Sequence, residues 1–182
     1  MPTTIWTPTL AWLAAATGAL VLAVVAPSES NVMGRLPSPT AKQLEQQQLA
    51  PFVAAGRKLA LVGFHSSQRG EIRSWIEGLK LHQDSQIAWF KMPVLDDPGT
   101  DDARKAIENQ LLARHAAGTQ RAPMVPVFTN QSDFIRAAGL SGREHASVLV
   151  LNREGRVLAR AEGHYDPDKA QALRETLSGQ GD

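Results

Sequence analysis

Apolar residues recur along the chain at the spacings of strands and helices, beginning at Lys58. Apolar runs of strand length occur at 58–64, 87–95, 124–128, 147–151 and 156–162. The segments between them carry apolar residues three or four positions apart, as on one face of a helix. The stripes are Ile72, Trp75, Ile76 and Leu79; Ala103, Ile107, Leu111, Leu112 and Ala116; and Ala170, Leu173 and Leu177. With a short helix at 132–138, the predicted order is β-α-β-α-β-α-β-β-α, an α/β fold whose mixed sheet has helices on both faces.

Turn residues and prolines predict where several of these strands and helices begin or end. The segment "NREG", 152–155, joins the last two strands and predicts a β-hairpin, with a positive φ angle at Gly155. Pro123 and Pro126 favour an edge position for the strand at 124–128, because proline cannot donate to a neighbouring strand. Asp166 followed by Pro167 predicts the start of the last helix. The chain therefore ends in a hairpin and a helix.

The N-terminal segment has a different composition. No charged side chain precedes Glu29, and the uncharged stretch from residue 5 to residue 26 is near the ~20 residues that span a bilayer. We expect residues 1–26 to be a transmembrane anchor, or alternatively a cleaved signal segment. Prolines spread through the following residues predict a linker at 27–54, ahead of a domain at 55–182. Arg35, the first basic residue, favours a cytoplasmic domain by the positive-inside rule, but Arg35 and Lys42 lie close in sequence to Glu29 and Glu45, so this signal is weak.

The overall composition excludes several functions. The 182 residues contain no cysteine, so thiol catalysis, disulfides and cysteine-ligated metals are excluded. The net charge is +1 and no basic block occurs, so nucleic-acid binding has no support. The histidines show no metal-ligand spacing, and the turn "DDPGTDD" lacks the pattern of a calcium loop. We therefore expect neither a metal nor another cofactor.

The segment "VGFHSSQRGEI", 62–72, is the candidate site, because a buried strand there enters a polar loop and then a helix. His65 could act as a base beside Ser66 and Ser67, but sequence neighbours rarely reach the geometry of a catalytic triad. Helix capping or exposure to solvent is the commoner role of such residues. Backbone N–H groups at the helix start could also hold an anion, assisted by Arg69.

These elements resemble the thioredoxin fold of membrane-tethered thiol-disulfide oxidoreductases. "LVGF" is similar to the strand before the Cys-x-x-Cys loop, and "VLVLNREGRVLARAEG" is similar to the family's closing hairpin and its glycine, here Gly163. "PVFTNQSDFIRAAGL" is similar to the short strand and helix before that hairpin. The likeness covers about residues 58–178 and implies a core strand order of 2-1-3-4. It makes the helix at 101–117 and the strand at 124–128 an insertion.

Matching the family's motif to this chain places the redox positions on other residue types. If Phe64 matches the phenylalanine that ends the family's strand, the two cysteines fall on Arg69 and Ile72. The family's cis-proline falls at His145–Ala146, where there is no proline. The resemblance thus implies a vacated redox loop of His65, Ser66, Ser67, Gln68, Arg69 and Ile72, which keeps at most a contact with a partner or an anion. We expect the polar loop itself to tolerate substitution.

The resemblance implies a binding function. The hairpin is also similar to that of cysteine-free assembly factors for the membrane sector of F-type ATP synthase. We therefore expect a non-catalytic, chaperone-like module that is tethered to the membrane through residues 5–26 and acts on a membrane or envelope protein. An extracytoplasmic location is expected, or secretion after signal cleavage. The alternative is a non-thiol enzyme that uses the loop from His65 to Arg69.

Overall fold

The structure, a computed structural model, describes residues 33–37, 56–115 and 123–179. The predicted N-terminal anchor and most of the predicted linker lie outside these residues. Within them, no helix combines the length and the apolar character needed to cross a bilayer. The strands are β1 (Gly34–Arg35), β2 (Arg57–Gly63), β3 (Trp89–Leu95), β4 (Val127–Phe128), β5 (Ser147–Asn152) and β6 (Arg156–Glu162). The helices are α1 (Arg69–Gly78), α2 (Asp101–His115), α3 (Gln131–Ala138) and α4 (Pro167–Ser178), and a 3₁₀ turn, Ser66–Gln68, precedes α1.

The strands form one mixed sheet in the order β1-β6-β5-β2-β3-β4. β2 pairs in parallel with β3 and antiparallel with β5, and β5 pairs antiparallel with β6. The inner strands β3-β2-β5-β6 reproduce the predicted core order 2-1-3-4. β4 lies at the edge, as its prolines predicted. This order and these directions are those of the thioredoxin fold.

Alternating side chains of the strands build two cores, one on each face of the sheet. Leu59 and Leu61 of β2 face one way and pack with Trp75 of α1 and Leu173 of α4. On the opposite face, a second cluster includes Phe134 of α3. Fully burying a side chain of this size stabilises the fold by about 1.5–3 kcal/mol. The prediction of helices on both faces is therefore confirmed.

Trp75 and Trp89 are both buried in the core on the α1 face. Trp75 has no exposed surface and Trp89 is 7% exposed. Their indole N–H groups donate to the carbonyls of Gly163, at 2.8 Å, and Leu81, at 3.0 Å. Each polar edge therefore has a partner, which removes the free-energy cost of burying it.

The short strand β1 lies within the range predicted as linker. The backbone N–H groups of Met33 and Leu36 donate to the carbonyls of Val157 and Gly155, which attaches this segment to the closing hairpin. Leu36 is 2% exposed in the core on the α3 face. A two-residue strand between prolines has no periodicity to reveal it, which is why the sequence did not predict it.

Helix α2 and strand β4 lie between β3 and α3, as the insertion was expected to. Arg104 of α2 bonds to both carboxylate oxygens of Asp97, at 2.9 and 2.8 Å, which fixes the start of the helix. The predicted apolar stripe of α2 is incompletely covered: Ile107 and Leu111 are half-buried, and Leu112 is 47% exposed. The helix therefore leaves apolar surface beside β3.

Candidate functional site

The loop after β2 lies at the end of a central strand and leads directly into α1. Phe64 is buried at 5% exposure, whereas His65, Ser66 and Ser67 are exposed. The 3₁₀ turn at Ser66–Gln68 then carries the chain into the helix. The loop is thus in the position where the resemblance places a redox motif.

Gln68 departs from the expectation of a tolerant polar loop. It is 3% exposed, and its side-chain oxygen accepts hydrogen bonds from the backbone N–H groups of Phe64, at 2.7 Å, and His65, at 3.1 Å. Its side-chain nitrogen donates to the carbonyl of Arg143 at 2.7 Å. Gln68 therefore holds the loop and joins it to the segment before β5. Because its side chain turns inward, we expect Gln68 to tolerate substitution less well than the exposed residues of the loop.

Glu71, on the first turn of α1, makes a second connection to the segment before β5. Its Oε2 accepts from the backbone N–H of Ala146 at 2.6 Å, and its Oε1 lies 2.9 Å from Nδ1 of His145. Burial alone would raise the pKa of Glu71, but the bonds from His145 and Ala146 outweigh it and lower the pKa below its ordinary value. The same bond raises the pKa of His145. The carboxylate therefore connects the first turn of α1 to His145 and Ala146, the two residues to which the resemblance assigned the position of the cis-proline.

The remaining residues of the vacated loop have different surroundings. His65, Ser66, Arg69 and Ile72 line an open groove of about 880 Å³, whereas Ser67 is exposed to solvent outside this lining. Ile72 is half-buried and packs against the core on the α1 face. The structure thus brings four of the six predicted positions to one surface and assigns Gln68 a structural role.

The groove lies beside α1 and over β3, with α2 as its far wall. Its apolar lining comes from both strands and both helices: Leu61, Phe64, Ile72, Ile76, Pro93, Leu95, Leu111 and Met124. The polar lining is His65, Ser66, Arg69, Arg73, Glu77, His82, Lys91 and Arg114. The groove is therefore amphipathic, which the sequence did not predict because its two walls are distant in the chain.

The charges of the groove are mostly positive. Arg69, Arg73, Lys91 and Arg114 contribute four cations, against the single carboxylate of Glu77. Among the residues that the structure describes, none of these four cations forms an ion pair. Burial, and then the neighbouring Arg73, lower the pKa of Lys91. Positive charge is thus concentrated here although the whole chain is nearly neutral.

The chemistry of this site is limited by its residues. The chain has no cysteine to carry thiol–disulfide exchange. In residues 33–37, 56–115 and 123–179, no group of three or more acidic or histidine side chains is placed to hold a metal ion. His145 forms an ion pair with Glu71, but neither residue lines the groove. Glu71 also accepts from the backbone N–H of Ala146, so the pair connects α1 to the segment before β5. What the groove offers is apolar surface with cations around it.

Comparison with solved structures finds several proteins to which the chain is similar. The chain is similar to a thiol:disulfide interchange protein from Bacteroides sp., with 16% identity, 69% of this chain and 75% of that chain covered, and a TM-score of 0.37. It is also similar to the thioredoxin domain of a thiol-disulfide oxidoreductase from Bacteroides vulgatus, with 17% identity, 68% and 81% covered, and a TM-score of 0.36. A third is BsSco, a member of the Sco family of cytochrome c oxidase assembly proteins, with 15% identity, 69% and 82% covered, and a TM-score of 0.43.

No protein-family model matches the sequence, and no curated protein does so. The fold rests on the strand order and directions described above: the chain is a thioredoxin-like α/β module without cysteine.

Proposed function

We propose that the chain is a non-catalytic, membrane-tethered binding module that acts on a membrane or envelope protein as an assembly or chaperone-like factor. One observation carries this proposal: the residues beside the vacated redox position make structural hydrogen bonds, while an amphipathic groove next to them stays open. Function resides in sites rather than in folds. A scaffold without its redox residues but with an open groove is suited to binding.

The tether and the location extend the proposal beyond the described residues. The uncharged stretch at 5–26 has the length and composition of a bilayer-spanning helix. Anchoring by this segment would hold the domain at the membrane surface, close to a membrane or envelope partner. We place the domain on the extracytoplasmic side, and secretion after cleavage is the alternative.

A non-thiol enzyme is the second candidate, because His65 and Arg69 both line the groove. A general base needs a hydrogen-bonded partner and a substrate within reach. Within the described residues, no bond connects His65 to Ser66 or to a carboxylate of the groove, which favours binding over catalysis. Substituting His65→Ala separates the two candidates, since an enzyme of this kind would lose its turnover whereas a binding module would lose at most one of the contacts that the groove makes with its partner.

Crosslinking in native membranes tests the proposed function. In one variant a photoreactive amino acid replaces Ser66, which lines the groove. In the control variant it replaces Lys169, which lies on the exposed face of α4. We expect one membrane or envelope protein to be captured from Ser66, to be identified by mass spectrometry, and to be absent from the Lys169 sample. Equal capture from both positions, or none from Ser66, would contradict the proposal.

A further inference from the structure

Among residues 33–37, 56–115 and 123–179, no helix covers one face of β3, and the groove lies along that face. Along β3 the residues of one face, Phe90, Met92 and Val94, are buried in the core on the α3 face. On the other face Lys91, Pro93 and Leu95 are only half-buried and line the groove. Helix α1 packs over β2, and α2 forms the opposite wall. A strip of the sheet therefore remains accessible between the two helices.

The cations are distributed around this strip rather than gathered at one end. Arg69 and Arg73 belong to α1, Lys91 lies on β3 at the floor, and Arg114 belongs to α2. Each lies among apolar residues of the same wall. An occupant that satisfied all of these cations would therefore carry several negative charges along its length, with apolar groups between them.

Lys91 adds an energetic reason for an anionic occupant. Lysine seldom lies on a partly buried sheet surface unless its charge is paired. Here it is half-buried, and the nearby charge is another cation, Arg73. A carboxylate in the groove would relieve this repulsion, and guanidinium groups match carboxylates in a two-bond geometry.

We propose that the groove binds an extended acidic peptide segment, in which carboxylate side chains alternate with apolar ones, as the recognition element of the protein partner. This inference rests on the proposed function and specifies the chemistry of the partner. A peptide fits better than a lipid headgroup, because the cations lie on both walls and on the floor, whereas a headgroup concentrates its charge in one place. Successive side chains of an extended peptide point in opposite directions, so its carboxylates and its apolar groups would contact different parts of the groove lining.

Binding of defined peptides to the full-length chain in neutral phosphatidylcholine nanodiscs tests this inference. The probes are fluorescent peptides that alternate leucine with glutamate, leucine with lysine, or serine with glutamate, measured by fluorescence anisotropy. We expect the leucine–glutamate peptide to bind most tightly, and its affinity to fall as the salt concentration is raised. The lysine version should not bind, and the serine version should bind weakly.

Charge-reversal variants locate the binding site. Arg73→Glu and Arg114→Glu should each lower the affinity for the leucine–glutamate peptide by about ten-fold or more, because like charges then face each other. Lys105→Glu is the matched control: it makes the same charge change on α2 at an exposed position outside the groove lining, and its affinity should stay at that of the wild type. All three substituted side chains are exposed, and circular dichroism checks that each variant is folded.

The outcomes separate the inference from the proposed function. Three results would each overturn the acidic-peptide inference. The leucine–lysine peptide could bind as tightly as the leucine–glutamate peptide, or no peptide could bind. Arg114→Glu and Lys105→Glu could also change the affinity equally. Binding of the protein to phosphatidylcholine vesicles with and without phosphatidylglycerol is measured as well. If only anionic vesicles bind, and Arg73→Glu abolishes that binding, a lipid surface replaces the peptide as the ligand. Capture of a partner from Ser66 would sustain the binding function in any of these cases, so the two can fail separately.

Discussion

At the scale of single residues, the side-chain amide of Gln68 joins the end of β2, the start of α1 and the segment before β5. It accepts from Phe64 and His65 and donates to Arg143. Gln68→Ala would leave the buried N–H of Phe64 without this partner. We expect a loss of about 1–3 kcal/mol in the free energy of unfolding, measured by urea denaturation.

Ser67→Ala is the control for this substitution, because Ser67 is the exposed neighbour in the same 3₁₀ turn. Its effect should stay within about 0.5 kcal/mol. Equal urea midpoints for the two variants would show that the Gln68 bonds do not hold the loop.

The sequence held a partial signal for this arrangement. Glutamine three positions after the residue that begins a helical turn can reach back to that residue's N–H, and His65 and Gln68 have this spacing. The bonds from Gln68 to Arg143 and from Glu71 to Ala146 each connect residues 75 positions apart, and no local pattern encodes them. The position of the loop was therefore predictable, whereas its role as a structural connection was not.

The Glu71–His145 pair makes stability depend on pH. The pKa of Glu71 is lowered from 4.5, so its contribution is present above that value and is lost as pH falls through the folded pKa. The pKa of His145 is raised from 6.5, so its contribution is present below that value and is lost as pH rises through the folded pKa. The pair is thus fully effective between these two ordinary values.

Urea denaturation of the wild type and His145→Ala checks this window. The stability difference between the two proteins should be larger at about pH 6 than at about pH 8. His65→Ala, an exposed histidine that bonds to no carboxylate within the described residues, should show no such change. A difference that stays constant over this pH range would exclude the ion pair as its cause.

At the scale of elements, β1 depends on a glycine at its closest approach to α3. A Cβ atom on Gly34 would lie 2.5 Å from the backbone carbonyl carbon of Ala138. Because the obstructing atoms are backbone, Gly34→Ala must displace β1 or the end of α3. We expect this overpacking to cost about 1–3 kcal/mol and to speed hydrogen exchange of Met33 and Leu36.

Gly56→Ala provides the comparison, since a Cβ atom there meets nothing within 4 Å. It should leave both the stability and the exchange of Leu36 unchanged. If Gly34→Ala behaves in the same way, β1 is not packed as tightly as the structure places it.

At the scale of the whole molecule, the resemblance to the thioredoxin fold implied the core strand order that the structure shows, whereas the alternation of strands and helices predicted an α/β fold with a mixed sheet. The edge position of β4 was predicted from local residues, the prolines 123 and 126. The groove was not predictable in this way. It depends on α1 covering β2 but not β3, which is a consequence of packing between elements.

The central claim is that the cysteine-free scaffold works by binding a partner in the groove beside the vacated redox position. Hydrogen exchange of the full-length chain, measured with and without its captured partner, tests this directly. We predict slower exchange confined to α1, α2 and the segment 123–128, with β1 and α3 unaffected. Protection on the β1 and α3 side, or no protection of α1 and α2, would contradict the account.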